Sequence, residues 1–438
     1  MIKVDSPHNQ YCLASFATKS CSVKDRLYCE EDFSTIAVAK FLPKAPDFND
    51  DFLIDHFRVV ASNSFRRLQY KTQVFVNHEG DHYRTRLTHS LEVAHIARQI
   101  ATSLNLNSTL AEVISLAHDI GHAPFGHAGE TALQNKLKEI SDNNPNFISK
   151  NSLNNKNQEQ KFSDDFLFGF CHNAHSLKLL TKIELYSTKF SGLNLSWEVL
   201  EGLVKHNGPI TKMGNNQQYI AKYNEIHDLN LSNYPSLEAQ IAAIADDLAY
   251  NNHDLEDGLR AGLFAVEDLY DLPLVGDIYR FIVKNNPYLK RELLVNQAKQ
   301  YITKHMISDV VSNSLKMLAH HHITNVEAVR KCQVALINFS DEFSEIHCSI
   351  KNFLRQRMYF HPQVNKMTSN AFMIVGKLFD FYWSSPDLLP EDLFIDYQNY
   401  CNKVNYKDLS QSALAEVIVD YIAGMTDRFA ILQYEQLN

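Results

Sequence analysis

His118-Asp119-Ile120-Gly121-His122-Ala123-Pro124-Phe125-Gly126-His127-Ala128-Gly129-Glu130, with Arg86-Leu87-Thr88-His89 about thirty residues before it, is the stretch on which the reading of this chain turns. Adjacent His and Asp side chains can share one divalent ion only when further ligands arrive from other segments. Ions of the Mg, Mn, Fe and Ni type accept imidazole and carboxylate together. His89 offers a distant imidazole, and the segment from Leu237 to Gly262 offers a carboxylate in Asp246-Asp247. A helix turns only one of those two aspartates toward a given point, since neighbours diverge by about 100°, and spacing alone does not choose between them. His118, Asp119, His122, His127 and Glu130 crowd into a segment whose Gly/Pro/Gly turn cannot bury polar groups without partners.

Outward from that segment, glycine and proline are sparse, at 14 and 12 in 438 residues, and apolar residues recur at three- and four-residue steps. This spacing predicts an all-α fold with few or no strands. Thr88 is placed to cap a helix with Leu91, Ala94, Ala97, Ala101 and Leu104 inward, and Thr109-Leu110-Ala111-Glu112 reads as a capping box opening a second. Ser236 after Pro235 caps a third, along which Asp246, Tyr250 and Asp254 recur at four-residue steps and line one side. Periodicity continues through Val326 to Phe339, Ile346 to Phe360 and Ser410 to Tyr421. The expected organisation is an N-terminal segment over 1–50, a core over 51–265 and a C-terminal helical region over 266–438 packed on it. The Asn/Lys/Ser/Gln-rich stretch from about 135 to 165 is expected to be a mobile loop.

With 45% hydrophobic and 21% charged residues the composition is that of an ordinary globular protein, and a net charge of -9 gives no reason to expect a nucleic-acid partner. One basic cluster, Arg66, Arg67, Lys71, Arg84 and Arg86, reads either as a solvated helix face or as a site for a polyanion such as a nucleotide phosphate chain. Seven cysteines, widely spaced and never in a CxxC pair, indicate neither a disulfide framework nor a zinc ribbon. No apolar run approaches the roughly twenty residues that span a bilayer, so a cytoplasmic protein without membrane association is expected.

Arg86-Leu87-Thr88-His89, His118-Asp119 and a later Asp together resemble the HD-domain phosphohydrolase superfamily. Longer strings, among them Ser64 to Phe75, Arg84 to Val93, His118 to Glu130, Leu200 to Gly208, Ala245 to Asp257 and Gly424 to Arg428, narrow the resemblance to the deoxyguanosine triphosphate triphosphohydrolases and related dNTPases. The resemblance implies metal ligands at His89, His118, Asp119 and Asp246, holding Mg or Mn, with Fe, Co or Ni as further candidates. It implies water attack at the α-phosphorus, with triphosphate departing from a deoxynucleoside. His127 matches the catalytic His that protonates the leaving 5′ oxygen, with Glu130 orienting it, and His122 and His172 match positions on the phosphates. Arg86 aligns with a phosphate-binding Arg, Tyr250 with a phosphate or sugar contact, and Gln73 and Asp254 with groups on the sugar 3′ hydroxyl. Arg357 and His361 resemble a late pair that reaches the triphosphate. Cys171 and His175 depart from the family pattern, which bears on fine specificity. A homo-oligomer, hexamer or tetramer, with a dNTP allosteric effector is implied too. Another HD phosphohydrolase would keep the ligands without needing Gln73, Arg86 or Asp254, and a nucleotide sensor would keep the pocket without turnover.

Overall fold

Thr72 pairs as an isolated antiparallel bridge with Thr85, and this extended backbone decides where the His89 helix begins. Thr85, not Thr88, is the cap. Its side chain accepts from the Thr88 amide while the Thr88 hydroxyl accepts from the Thr85 amide at 3.1 Å, a reciprocal capping box. The computed structural model in which this is seen describes residues 13–19, 26–27, 51–73, 84–143, 169–403 and 407–437.

Seventeen α-helices are described, with no strand among the described residues. They are α1 (Asp51–Ala61), α2 (Asn63–Arg67), α3 (Arg86–Ser103), α4 (Ser108–Ala117), α5 (His127–Asn143), α6 (His172–Lys178), α7 (Trp197–Val204), α8 (Gln218–Ile226) and α9 (Leu237–Arg260). The chain continues through α10 (Val275–Asn285), α11 (Arg291–His320), α12 (Val326–Lys331), α13 (Asp341–Leu354), α14 (Pro362–Ser384), α15 (Glu391–Lys403), α16 (Lys407–Ala423) and α17 (Asp427–Gln436). No described helix is long and apolar enough to cross a membrane.

The helices α3, α4 and α9 pack on one another and bring together the segments that carry the metal-type residues. Ser236 caps α9 as its sequence predicts, accepting from the Ala239 amide. The cap of α4 is Asn107, accepting from Leu110 at 3.1 Å, so the Thr109 box falls inside the first turn. On α3 the buried arc runs through Val93, Ala94, Ile96, Ala97, Ile100 and Ala101, and Leu91, expected inward, is 51% exposed. The β-branched residues claim the core because they lie on the arc facing α9 and α4.

Residues 135–143, expected in the loop, are helical. Leu133 and Leu137, one turn apart, bury against the C-terminal helices and carry α5 to Asn143. The rest of that expected loop, 144–165, lies outside the described residues. So does most of the 1–50 segment, including Cys12, Cys21 and Cys29, although its described parts bind the core: Thr18 N donates to Glu238 Oε1 at 2.9 Å, and Arg26 pairs with Asp55 at 2.6 Å. The expected helix from Val326 to Phe339 stops at Lys331 because the amides of Leu336 and Ile337 donate to Gln240 Oε1 at 2.8 and 3.2 Å instead.

Three apolar clusters fill the structure. The first joins α3 and α9 to α10, α11 and α13, and the second joins α1, α4, α6 and α7. The third places Ala123 and Phe125, from the turn after the His/Asp pair, against α5, α14, α16 and α17. Polar bonds reinforce that contact. Asp427 accepts from the amides of Thr72 and Phe125, each at 2.8 Å, and the buried Lys71 donates to the carbonyls of His122 at 2.5 Å and Ala423 at 2.8 Å. The string Met425-Thr426-Asp427-Arg428 thus clamps the C-terminal helices onto the His-rich turn.

Candidate metal centre and adjoining pocket

His89 lies in the first turn of α3, His118 and Asp119 follow α4, and Asp246 lies midway along α9. Their meeting point is tight. His89 Nε2 is 2.9 Å from Asp246 Oδ1, His118 Nε2 is 3.6 Å from the same oxygen, and these three donors all lie within 4.8 Å of one another. Asp119 is beside them, 3.5 Å from His118 Nε2 and 3.8 Å from His89 Nε2. The choice that spacing left open falls to Asp246, for Asp247 is 44% exposed and pairs with Lys351 at 2.7 Å.

His118 Nδ1 faces the Ser115 carbonyl at 2.6 Å, so its proton is donated there, and the buried Nε2 is left with no hydrogen-bond partner. Buried polar atoms are almost always satisfied, and an orphaned imidazole nitrogen among carboxylates is a place for a cation. Burial opposes a charge on His118, but Asp119 and Asp246 outweigh it and push its pKa up to about 9. Asp246 is pulled the other way: against burial, His118, His206 and His89 hold it well below the usual carboxylate range. A mixed imidazole and carboxylate set of this kind fits a divalent first-row ion or Mg.

The basic cluster is neither a solvated face nor a free anion site. Arg84 pairs with Glu92 at 2.9 Å and Glu256 at 2.7 Å, Arg67 donates to Ser64, Lys71 is wholly buried and only Arg66 is exposed. Arg86, expected on phosphate, donates to Asp119 Oδ2 at 2.8 Å and is buried, with its Nε unpartnered. Its guanidinium fits over the bare backbone of Gly126, where a Cβ would come within 2.5 Å of Arg86 Nη2.

Next to Asp119 stands a second histidine cluster. His122 Nε2 is 3.2 Å from Asp119 Oδ1, and its ring stacks on His172 with centroids 3.9 Å apart. Glu130 accepts from His172 Nδ1 at 3.0 Å and faces His127 Nδ1 at 3.3 Å. Burial raises the Glu130 pKa, but the bonds from His127 and His172 overcome this and hold the carboxyl far below its ordinary range. Burial, reinforced by Arg86 and His172, keeps His122 neutral. His127, by contrast, is 73% exposed at the start of α5. The departure at His175 is structural, its Nδ1 donating to the Gly121 carbonyl at 2.9 Å in a fully buried place.

Tyr250 connects the centre to open space, its ring 6.3 Å from that of His89 and 6.2 Å from that of Tyr359. A cavity of about 400 Å³ is lined by Tyr250, Lys351, Arg355, Tyr359 and Phe360. Asp254 is fully buried and already accepts from the Tyr359 hydroxyl, and burial, opposed by that bond, lifts its pKa to about 7. Gln73 is half-buried with Oε1 unpartnered. The late pair is not brought in: Arg357 is 52% exposed on Asp268 at 2.8 Å, and His361 caps α14 by accepting from Gln363 at 3.3 Å. After Leu354 the helix passes into a π-type turn over Arg355–Tyr359, in which Met358 is buried, Tyr359 half-buried and both Arg355 and Arg357 exposed, with Arg355 and Tyr359 lining the cavity.

Two residues given no role by the sequence belong to the centre. His206 Nε2 lies 3.3 Å from Asp246 Oδ2, and His253 Nε2 lies 2.8 Å from His89 Nδ1. Both lie in strings that carry the resemblance, Leu200 to Gly208 and Ala245 to Asp257, but nothing in the sequence gives either a role.

Comparison with known proteins bears on this geometry. Residues 86–251 match the HD domain, and residues 337–436 match the phosphohydrolase-associated domain. A deoxyguanosinetriphosphate triphosphohydrolase-like protein of Parvibaculum lavamentivorans is 40% identical over 433 residues, covering 98% of this chain and 97% of that one. Proteins of the same description from Caulobacter sp. (strain K31) and Rickettsia felis are 42% and 41% identical, covering 88% and 97% of this chain and 89% and 98% of theirs.

Proposed function

This chain belongs to the family of deoxyguanosinetriphosphate triphosphohydrolase-like proteins built on an HD domain, and on that premise we propose that it hydrolyses dGTP or other deoxynucleoside triphosphates to deoxynucleoside and inorganic triphosphate. The observation that carries this reading is Asp119, whose carboxylate touches both clusters: the His89, His118 and Asp246 donors on one side and His122, beside His127, Glu130 and His172, on the other. Cation chemistry and proton chemistry therefore share one carboxylate, next to a cavity with two cationic walls.

His89, His118, Asp119 and Asp246 would hold the cation, with Mg and Mn the leading candidates. A divalent cation bound there supplies Lewis acidity, polarising a phosphoryl oxygen and acidifying water. His127 holds the proton that the departing 5′ oxygen needs, and Glu130, kept ionised, fixes the orientation of its ring. His122, kept neutral, and His172 stacked on it line the phosphate path, where Arg86 adds positive charge. Lys351 and Arg355 bring further charge to the cavity wall, matched to a polyanion. Gln73, Tyr250 and Asp254 face the sugar, and a site built to bond a hydroxyl rejects analogues that lack it. A cytoplasmic role in control of the dNTP pool, a homo-oligomeric state and a dNTP effector rest on family resemblance.

The test is product identity. Purified protein with Mn or Mg and each dNTP, read by phosphorus NMR, should release tripolyphosphate and a deoxynucleoside. Release of pyrophosphate with a nucleoside monophosphate, or of orthophosphate, would assign it instead to another class of HD phosphohydrolase.

A further inference from the structure

His253 is wholly buried in the interior of α9, and neither proton transfer nor substrate contact calls on it. Both of its ring nitrogens are nevertheless engaged. Nδ1 is 2.9 Å from Asp254 Oδ1, and Nε2 is 2.8 Å from His89 Nδ1. The two imidazole planes stand at 90° with centroids 4.9 Å apart, so the contact is edge-on, nitrogen to nitrogen, and not a stack.

The direction of these bonds follows from what each group can give. Asp254 as a carboxylate only accepts, and its other oxygen already takes the Tyr359 hydroxyl. The proton between Asp254 and His253 therefore belongs to His253 Nδ1, and a neutral imidazole then presents a lone pair at Nε2. That lone pair accepts the Nδ1 proton of His89, which leaves the Nε2 of His89, the atom 2.9 Å from Asp246, with its lone pair facing the centre.

We propose that His253 is a positioning residue for the cation site, fixing the tautomer and ring orientation in which His89 can act as a ligand and tying that ligand through Asp254 to Tyr359 on the cavity wall. The inference rests on the reading of His89, His118, Asp119 and Asp246 as a metal centre. Partners of this kind on the far nitrogen of a ligand His typically contribute about 10–100-fold in metal affinity. A Leu at 253 would keep the volume but not the acceptor. A Gln, whose amide reaches where Nε2 lies, would restore an acceptor for the His89 proton.

The experiment is a Mn2+ titration of the full chain at pH 8, read by the loss of free-ion EPR signal, on wild type, His253→Leu and His253→Gln. Expected is a dissociation constant about 10–100-fold weaker for His253→Leu and largely restored for His253→Gln. Wild-type affinity in His253→Leu, or equal weakness in the Leu and Gln variants, would overturn the inference while leaving the centre in place. Failure of the wild-type chain itself to bind Mn2+ would overturn the metal centre and the inference with it. Because the comparison is between two substitutions of similar size, a loss due to packing alone appears as equal weakness.

Discussion

Asp427→Ala probes how the C-terminal helices hold the His-rich turn. The Asp427 carboxylate accepts two buried backbone amides, Thr72 and Phe125, each at 2.8 Å. Alanine leaves both donors unpartnered, and each buried orphan costs about 1–3 kcal/mol. Phe125 has a φ of 61°, in the left-handed region, a conformation that persists only where surroundings enforce it, so the turn should relax once the bond is lost. The two orphaned donors set the expected loss at about 2–6 kcal/mol, a large part of the 5–15 kcal/mol typical of a folded domain. Asn at 427 can accept only one amide and turns an NH2 toward the other, so it should lose about 1–3 kcal/mol. Urea unfolding of wild type and both variants measures this. Since Phe125 and Gly126 lead directly into His127, the Asn variant should lose turnover while its Mn2+ affinity stays within a few-fold, His118 and Asp119 lying upstream of the turn. A loss below about 1 kcal/mol for Asp427→Ala, or full turnover in both variants, would refute the clamp.

His118→Ala and Asp246→Ala should each abolish tight metal binding and hydrolysis together, and full turnover in either after metal removal would contradict the ligand assignment. His127→Ala should lose kcat with substrate affinity kept within a few-fold, because its role arises as the leaving oxygen departs; weaker binding at unchanged kcat would reverse that role. Asp254→Ala should relax selection against ribonucleotides or 3′-deoxy analogues, measured as ratios of kcat/KM, and an unchanged ratio would take Asp254 out of the sugar site. Burial, reinforced by Arg67, lowers the Lys71 pKa to about 7, against 10.5 when unfolded. The folded state thus prefers the neutral amine, a contribution fully present above pH 10.5 and lost as pH falls through 7. Relative to Lys71→Met, wild-type stability should rise by about 1.4 kcal/mol per pH unit between pH 7 and 10; parallel pH curves would show an ordinary Lys71.

The residues that meet at the candidate centre were legible because local signals place them: Ser236 marks a helix start, Asp246, Tyr250 and Asp254 keep to one helical side, and the start of the His89 helix was read at Thr88, three residues after its true cap at Thr85. What sequence could not show depends on partners far along the chain. Arg84 looked available for an anion because Glu256, which takes it up, is distant in sequence, and nothing local shows that Arg86 lies against Asp119. Arg357 and His361 were read as a pair reaching the triphosphate, but Arg357 pairs with Asp268, and it is Arg355 and Tyr359 of the same π-type turn that line the cavity. Leu91 looked like core because a helical wheel does not say which arc meets α9. His206 and His253 gave no signal beyond lying in strings that carry the resemblance, and only the packing of α3 on α9 reveals the nitrogen facing His89.

Pulsed EPR of the Mn2+-loaded protein tests the centre most directly, since it detects nitrogen ligands on the ion itself. If His89 and His118 grip the cation beside Asp119 and Asp246, one Mn2+ should bind per chain with modulation from two imidazole nitrogens, reduced in His89→Ala and in His118→Ala. A bound Mn2+ showing no nitrogen coupling, or a spectrum untouched by either substitution, would contradict it.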